Sequence, residues 1–198
     1  AESVSLWDHD PALLSLLQTK RCNVRYLPEI SLPENLKIFS TLNEGLAEAR
    51  DILIAVPSHA FSSILVKIKP LLKPGHRILW ATKGLEQGGT AFLHQVFERE
   101  LDKTIYPYAV LSGPSFAIEV AQGLPTAVVI ASENQNFASD LKRSFQNASF
   151  GVELSSDILG VQLGAVFKNV LAVAVGLSDG VQFGANARAA LMTQGLRQ

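Results

Sequence analysis

Ile52-Leu53-Ile54-Ala55-Val56, followed at once by Pro57-Ser58, is the stretch on which the fold turns. Five apolar residues with no polar alternation read as a strand covered on both faces. Such strands belong to parallel sheets flanked by helices. Pro57-Ser58 ends the strand, and Ser58 is placed to cap a helix running to about Ile68. The same alternation recurs on either side. Upstream, Val4–Trp7 reads as a strand and Pro11–Lys20 as a helix with proline at its start. Lys37–Phe39 is a short strand, and Thr41-Leu42-Asn43-Glu44 has the spacing of a capping box opening a helix to about Ala49. Downstream come the strand Arg77–Ala81, the helix Thr90–Leu101, the strand Ala109–Leu111 and a helix Pro114–Ala121. The strand Thr126–Ala131, again without polar alternation, the helix Phe137–Gln146 and the strand Gly151–Leu154 follow.

Strand–helix alternation predicts an α/β fold with a Rossmann-like, mostly parallel sheet over residues 1–155. After Ser155 only helical patterns remain, about Asp157–Leu177 and Ala185–Leu196. Residues 156–198 therefore read as the start of an all-helical second domain.

Composition narrows the function classes. The chain has 198 residues, 47% hydrophobic and 18% charged, which is a globular balance with enough length to bury a core. Lys+Arg number 17 against Asp+Glu 18, so no basic field recommends a nucleic-acid partner. The single cysteine, Cys22, excludes an internal disulfide and a cysteine-rich zinc site. It fits a reducing, cytoplasmic setting. No His/Asp/Glu spacing suggests a metal site, and His59, His76 and His94 read as surface residues. The apolar run Ile158 to Leu177 approaches the length of a membrane span. Gln162, Lys168 and Asn169 interrupt it, so we expect a helix buried on all sides rather than a span.

Ligands of open α/β sheets bind beyond the carboxyl ends of the strands. Those ends carry Asp8-His9-Asp10, Pro57-Ser58-His59, Thr82-Lys83-Gly84 and Ser112-Gly113-Pro114-Ser115. A parallel sheet places all four on one edge. Gly113 permits unusual dihedrals, and Pro114 suits the first position of a helix whose free N–H groups face an anion. The same segment also reads as a plain strand-to-helix turn. Lys83 reads either as a cation holding a phosphate or carboxylate, or as a solvated loop lysine. Lys168 stands among apolar residues on almost every helical face. Burial there lowers an amine's pKa and suits proton transfer near neutrality; the alternative is a lysine whose tip reaches water. Asn169 is placed to bond a substrate hydroxyl or a cofactor amide.

The opening strand ends in Trp7-Asp8-His9-Asp10, where the second strand of a dinucleotide fold carries its ribose-reading group. No G-x-G occurs in the chain. We therefore expect a Rossmann domain lacking its first strand, glycine turn and first helix, with an apolar sheet edge exposed.

The ordered motifs Leu6-Trp7-Asp8-His9-Asp10, Asn23-Val24-Arg25-Tyr26-Leu27-Pro28, Ala81-Thr82-Lys83-Gly84-Leu85-Glu86 and Leu111-Ser112-Gly113-Pro114-Ser115-Phe116-Ala117 carry a family resemblance. So do Gly123-Leu124-Pro125-Thr126-Ala127, Phe167-Lys168-Asn169-Val170 and Phe183-Gly184-Ala185-Asn186-Ala187-Arg188. Together they closely resemble bacterial NAD(P)-dependent glycerol-3-phosphate dehydrogenase, over essentially the whole chain. The resemblance implies reversible hydride transfer between NAD(P)H and dihydroxyacetone phosphate, giving sn-glycerol 3-phosphate for glycerophospholipid synthesis. It implies Lys168 as proton donor or acceptor at the reacting oxygen, and Lys83 as a contact to cofactor and substrate. Gly113 and Ser115 match substrate-binding positions, Asn169 beside Lys168 reads as an orienting group for the substrate, and His9, Tyr26 and Ala117 match cofactor-binding positions. It further implies a cytoplasmic homodimer of the full-length protein, with NAD or NADP as cofactor.

Two departures from the family pattern stand out. Gly164-Ala165-Val166-Phe167-Lys168-Asn169 replaces Gly-Gly-Ala-Leu-Lys-Asn, and Thr193-Gln194-Gly195 replaces Thr-Arg-Gly. The family's glycine-rich turn and its later segments have no counterpart in the sequence. The competing expectations are an inactive fragment or interaction module, and a related dehydrogenase acting on another small keto substrate.

Overall fold

The computed structural model describes residues 3–195. The first helix forms as its sequence dictates. Asp10 accepts the N–H groups of Ala12 and Leu13, Pro11 opens α1 (Pro11–Lys20), and Arg21 closes it with φ of +50°. Strand β1 (Val4–Leu6) pairs in parallel with β4 (Leu36–Ile38). Between them, β2 (Cys22–Asn23) and β3 (Leu27–Ser31) make an antiparallel hairpin that hydrophobic periodicity did not predict. Thr41 caps α2 (Leu42–Leu46) through the Glu44 N–H, and its hydroxyl lies 2.7 Å from the Glu44 carboxylate. Thr41 thus caps the helix from its side chain, with Glu44 bonded to the Thr41 hydroxyl rather than to its backbone N–H, on a helix shorter than foreseen.

The main sheet has five strands in sequence order. They are β5 (Asp51–Ile54), β6 (Arg77–Trp80), β7 (Tyr108–Ser112), β8 (Thr126–Ala131) and β9 (Phe150–Ser155). Neighbours run parallel except β7 and β8, which are antiparallel. The fold is thus α/β with a mainly parallel sheet, as expected. The exit of β7 and the approach to β8 therefore lie at the same edge.

Helices α3 (Ser58–Ile68) and α4 (Leu93–Glu100) cover one face. Their Phe61, Leu65 and Phe97 pack with Ile78, Trp80 and Tyr108. The Trp80 ring centroid lies 5.3 Å from Phe61, 5.6 Å from Phe97 and 5.2 Å from Tyr108. On the other face, α6 (Gln135–Phe145) lays Phe137 and Leu141 against Leu79, Leu111 and Ile130. At the amino end of β6, the Arg77 guanidinium donates twice to Asp51, at 2.5 and 2.6 Å, and once to Asp140 at 2.6 Å. It also lies 4.4 Å from the centre of the Phe137 ring. One buried cation thereby joins two strands and a helix.

After β9 come α7 (Ile158–Gly180) and α8 (Ala185–Gly195). Leu196, the expected end of the last helix, lies outside the described residues. Asp157 caps α7 through the Gly160 N–H. Ile158, Gln162 and Ala165 are buried, but Val170, Val173 and Leu177 are exposed. The helix is therefore not buried on all sides, because the sheet covers only its first turns. It is long and apolar enough to cross a membrane by length and composition.

Strand β5 alternates exposed and buried residues, with Leu53 exposed, so it is not doubly covered among the described residues. Ser58 is the first helical residue of α3; Pro57 holds the cap position without a side-chain bond. Helix α4 starts at Leu93 rather than Thr90, because Gln95 accepts the Phe92 N–H at 2.9 Å and closes the turn there. Helix α5 (Ala117–Ala121) begins after Phe116, so Pro114 lies in the preceding loop and not at a helix start. His76 is buried, its Nδ1 accepting the Lys73 N–H at 3.0 Å, so it is not a surface residue. His94 is half-buried.

Candidate active site

Three loops meet at the carboxyl ends of β5, β6 and β7. Beyond β6, the Thr82 hydroxyl donates to the Val56 carbonyl at 2.7 Å and ties this loop to the one leaving β5. Gly84 has φ of +117°, and a Cβ there would come 3.2 Å from Ser58 Oγ. The chain turns sharply between these two points and sends Lys83 inward. Its Nζ donates to the Gly113 carbonyl at 2.8 Å.

Gly113 is required by its surroundings. Its φ is +152°, and a Cβ would stand 2.7 Å from the Ala127 carbonyl oxygen and 2.9 Å from Val128 Cα. Antiparallel β8 passes directly behind this turn, leaving no room for a side chain. Ser115 Oγ is 3.5 Å from the same Gly113 carbonyl. Lys168 Nζ lies 5.3 Å from the centre of the Phe116 ring, within cation–π range.

Burial lowers the Lys83 pKa, and the positive charge of Lys168 lowers it further. Among the described residues neither ammonium is ion-paired with a carboxylate. Two cations, a serine hydroxyl and a glycine turn thus converge at one edge. Such a set attracts an anion or a developing oxyanion, and each ammonium can deliver a proton. The sequence readings of Lys83, Gly113, Ser115 and Lys168 are brought together here. One expectation fails: Lys168 is exposed, not buried among apolar neighbours, because α7 has left the sheet by that point. Asn169, next to it, is exposed as well.

The remaining predicted positions lie elsewhere. His9 follows β1 and is exposed, its Nδ1 3.1 Å from Asp8. Tyr26, on the hairpin, is 60% exposed, with the Arg25 guanidinium 5.0 Å from its ring centre. Ala117 opens α5, which approaches β3 of the same hairpin. Tyr26 and Ala117 are thereby drawn towards one region, whereas His9 stays with the β1–β4 pair.

Sequence reading missed Gln162 and His94. Gln162 lines the crevice with Thr82, Lys83, Ser112 and Ala165, and it bonds His94 on α4. The available signal was an amide inside an apolar helical run, which was read only as an interruption.

The family model for the N-terminus of NAD-dependent glycerol-3-phosphate dehydrogenase matches residues 1–138. The model for the C-terminus of the same enzyme matches residues 157–198. The chain belongs to the NAD-dependent glycerol-3-phosphate dehydrogenase family. It is 50% identical, over 98% of its own length, to glycerol-3-phosphate dehydrogenase (NAD(P)+) of Haemophilus influenzae, and covers 58% of that relative. Against the enzyme of the same name from Actinobacillus pleuropneumoniae the identity is again 50%, over 98% of the chain and 57% of the relative. The crystal structure of glycerol-3-phosphate dehydrogenase from Coxiella burnetii superposes with a TM-score of 0.92 at 45% identity, over 98% of this chain and 59% of that one. The chain thus spans a little under three fifths of the relatives it matches. Pyrroline-5-carboxylate reductase, at 11% identity and a TM-score of 0.57, shares the fold alone.

Proposed function

We propose that the chain forms the lysine-bearing part of an NAD(P)-dependent glycerol-3-phosphate dehydrogenase. The reaction is reversible reduction of dihydroxyacetone phosphate to sn-glycerol 3-phosphate. The observation that carries this reading is the convergence of Lys83 and Lys168 on the Gly113 turn, without a neutralising carboxylate among the described residues. A phosphorylated keto substrate supplies both an anion and a carbonyl oxygen to such a site.

The nicotinamide, when bound, supplies or accepts the hydride. Every other task falls to side chains. Lys168 gives a proton to the carbonyl oxygen as it becomes a hydroxyl, and takes one back in the reverse direction. Lys83, aimed by the Gly113 carbonyl, holds positive charge beside the same oxygen. Gly113, Ser115 and Asn169 contact substrate. The exposed Tyr26 ring with Arg25 beside it, and the His9–Asp8 pair after β1, have the chemistry to hold a dinucleotide's base, phosphate and ribose groups. Ala117 adds a small residue where a cofactor passes α5.

The same reading divides the chain near residue 155. It places α7 in a second, helical domain of a cytoplasmic homodimer. Helix α7 is not a span in this account, since Ile158, Gln162 and Ala165 are packed on the sheet. No nucleic-acid partner enters the reading, and the product serves glycerophospholipid synthesis. The test is NADH and NADPH oxidation by a chain of the family's full length carrying this sequence. Dihydroxyacetone phosphate should be consumed well ahead of a panel of other 2-keto acids and phosphorylated ketones. Preference for another keto compound would replace the substrate. Turnover of none of them would replace the enzyme reading.

A further inference from the structure

Helix α7 brings Lys168 to the site but leaves the sheet before reaching it. Something must fix its rotation and height over the crevice. Among the described residues, every side-chain hydrogen bond between α7 and the strand–helix layer is made by Gln162. Its Oε1 accepts the His94 backbone N–H at 3.3 Å, and its Nε2 lies 2.8 Å from His94 Nδ1. The same Nε2 also donates to the Ile158 carbonyl at 3.3 Å. Gln162 is only 4% exposed, so these bonds form away from competing water. Gln162, Ala165 and Lys168 follow at intervals of three along α7, and the first two line the crevice beside Lys83.

We infer that Gln162 and His94 form a latch that sets the position of Lys168 over Lys83. Gln162 is a positioning residue, acting through Lys168 and touching no substrate. Apolar packing at Ile158 and Ala165 holds α7 down but tolerates rotation and sliding. A bidentate amide in contact with both the backbone and the ring of one residue tolerates neither. A shift of about 1 Å at a proton donor is enough to cost on the order of 10²-fold in rate. The inference rests on the dehydrogenase reading for its kinetic expression, but its geometric content can be read separately.

The experiment compares wild type, Gln162→Leu and Gln162→Glu in the family-length enzyme. Gln162→Leu keeps the volume and removes both bonds. Its kcat with dihydroxyacetone phosphate should fall at least tenfold, while the Kd for NADH changes less than twofold. Gln162→Glu can still accept the His94 N–H and engage a ring N–H, and should recover kcat to within about threefold of wild type. Amine labelling, followed by mass spectrometry, reads the geometry without turnover. In Gln162→Leu the rates at Lys83 and Lys168 should each change at least threefold, with Lys20 and Lys37 as unchanged controls. An unaltered kcat, or an equal loss in NADH binding and kcat, would overturn the latch. If the wild type oxidises no NADH, the dehydrogenase reading fails alone, and unchanged labelling at both lysines then overturns the latch as well.

Discussion

Strand β6 and helix α7 are both strongly apolar segments, and they meet opposite fates. Arg77-Ile78-Leu79-Trp80 is buried at all four positions. Helix α7, apolar enough by length and composition to cross a membrane, leaves Val170, Val173 and Leu177 exposed. The difference lies in neighbours. Strand β6 has β5 and β7 at its edges, with α3 and α4 on one face and α6 on the other. Helix α7 meets the sheet through its first turns and α8 farther on. Apolarity states what a segment gains from cover, while the fold decides which residues receive it. The lysine of α7 stands where that cover ends, and this is why it faces an open site.

Equilibrium unfolding of the 198-residue chain can break or sharpen this contrast. Trp80→Ala attacks the covered region hardest. Removing a fully buried indole among three aromatic rings should cost ~3–5 kcal/mol. A loss under 1 kcal/mol would mean the aromatic cluster is not the core it resembles. Arg77→Ala comes next, since it takes the guanidinium from Asp51, while Asp140 keeps Arg143 and Arg50. Both carboxylates are partly solvated, so the loss should be ~2 kcal/mol, between the values for exposed and buried pairs. Partly restored stability in the double variant with Asp51→Ala would confirm that Arg77 and Asp51 act as a pair.

A smaller effect comes from His76. Burial, and then the nearby Lys73 charge, lower its pKa below the ordinary 6.5. The folded chain therefore binds this proton less readily than the unfolded chain does. Its contribution to stability is intact above 6.5 and is lost as pH falls from there through the folded value. Wild type should lose melting temperature over that interval more steeply than His76→Gln, and parallel curves would remove His76 from the account. The smallest change belongs to the uncovered region. Val173→Ser on α7 should alter stability by no more than ~0.5 kcal/mol. A loss several times larger would show that Val173 is covered in solution.

Much of this was legible beforehand, for identifiable reasons. The start of α1 was legible because Pro11 suits a first helical turn, whereas the closing turn at Arg21, a non-glycine residue with φ of +50°, is visible only in the structure. The convergence of Lys83 with Gly113 followed from strand order, since a parallel run places successive exits on one edge. Exposure was not legible at β5 or α7, because it depends on what lies beside a segment. The β2–β3 hairpin was missed because β2 is two residues long and carries no period. His76 and His94 were misjudged because their partners, Lys73 and Gln162, are set by a turn and by a distant helix. The Gln162 latch joins residues 68 positions apart, which no local pattern encodes.

The central claim is that Lys168, standing over the site beside Lys83, moves the proton that accompanies hydride transfer. Lys168→Ala in the family-length chain tests it most directly, with dihydroxyacetone phosphate and NADH saturating and active sites counted by NADH binding. Loss of a positioned proton donor should lower kcat on the order of 10²–10⁴-fold while NADH still binds. Turnover equal to wild type would contradict the account.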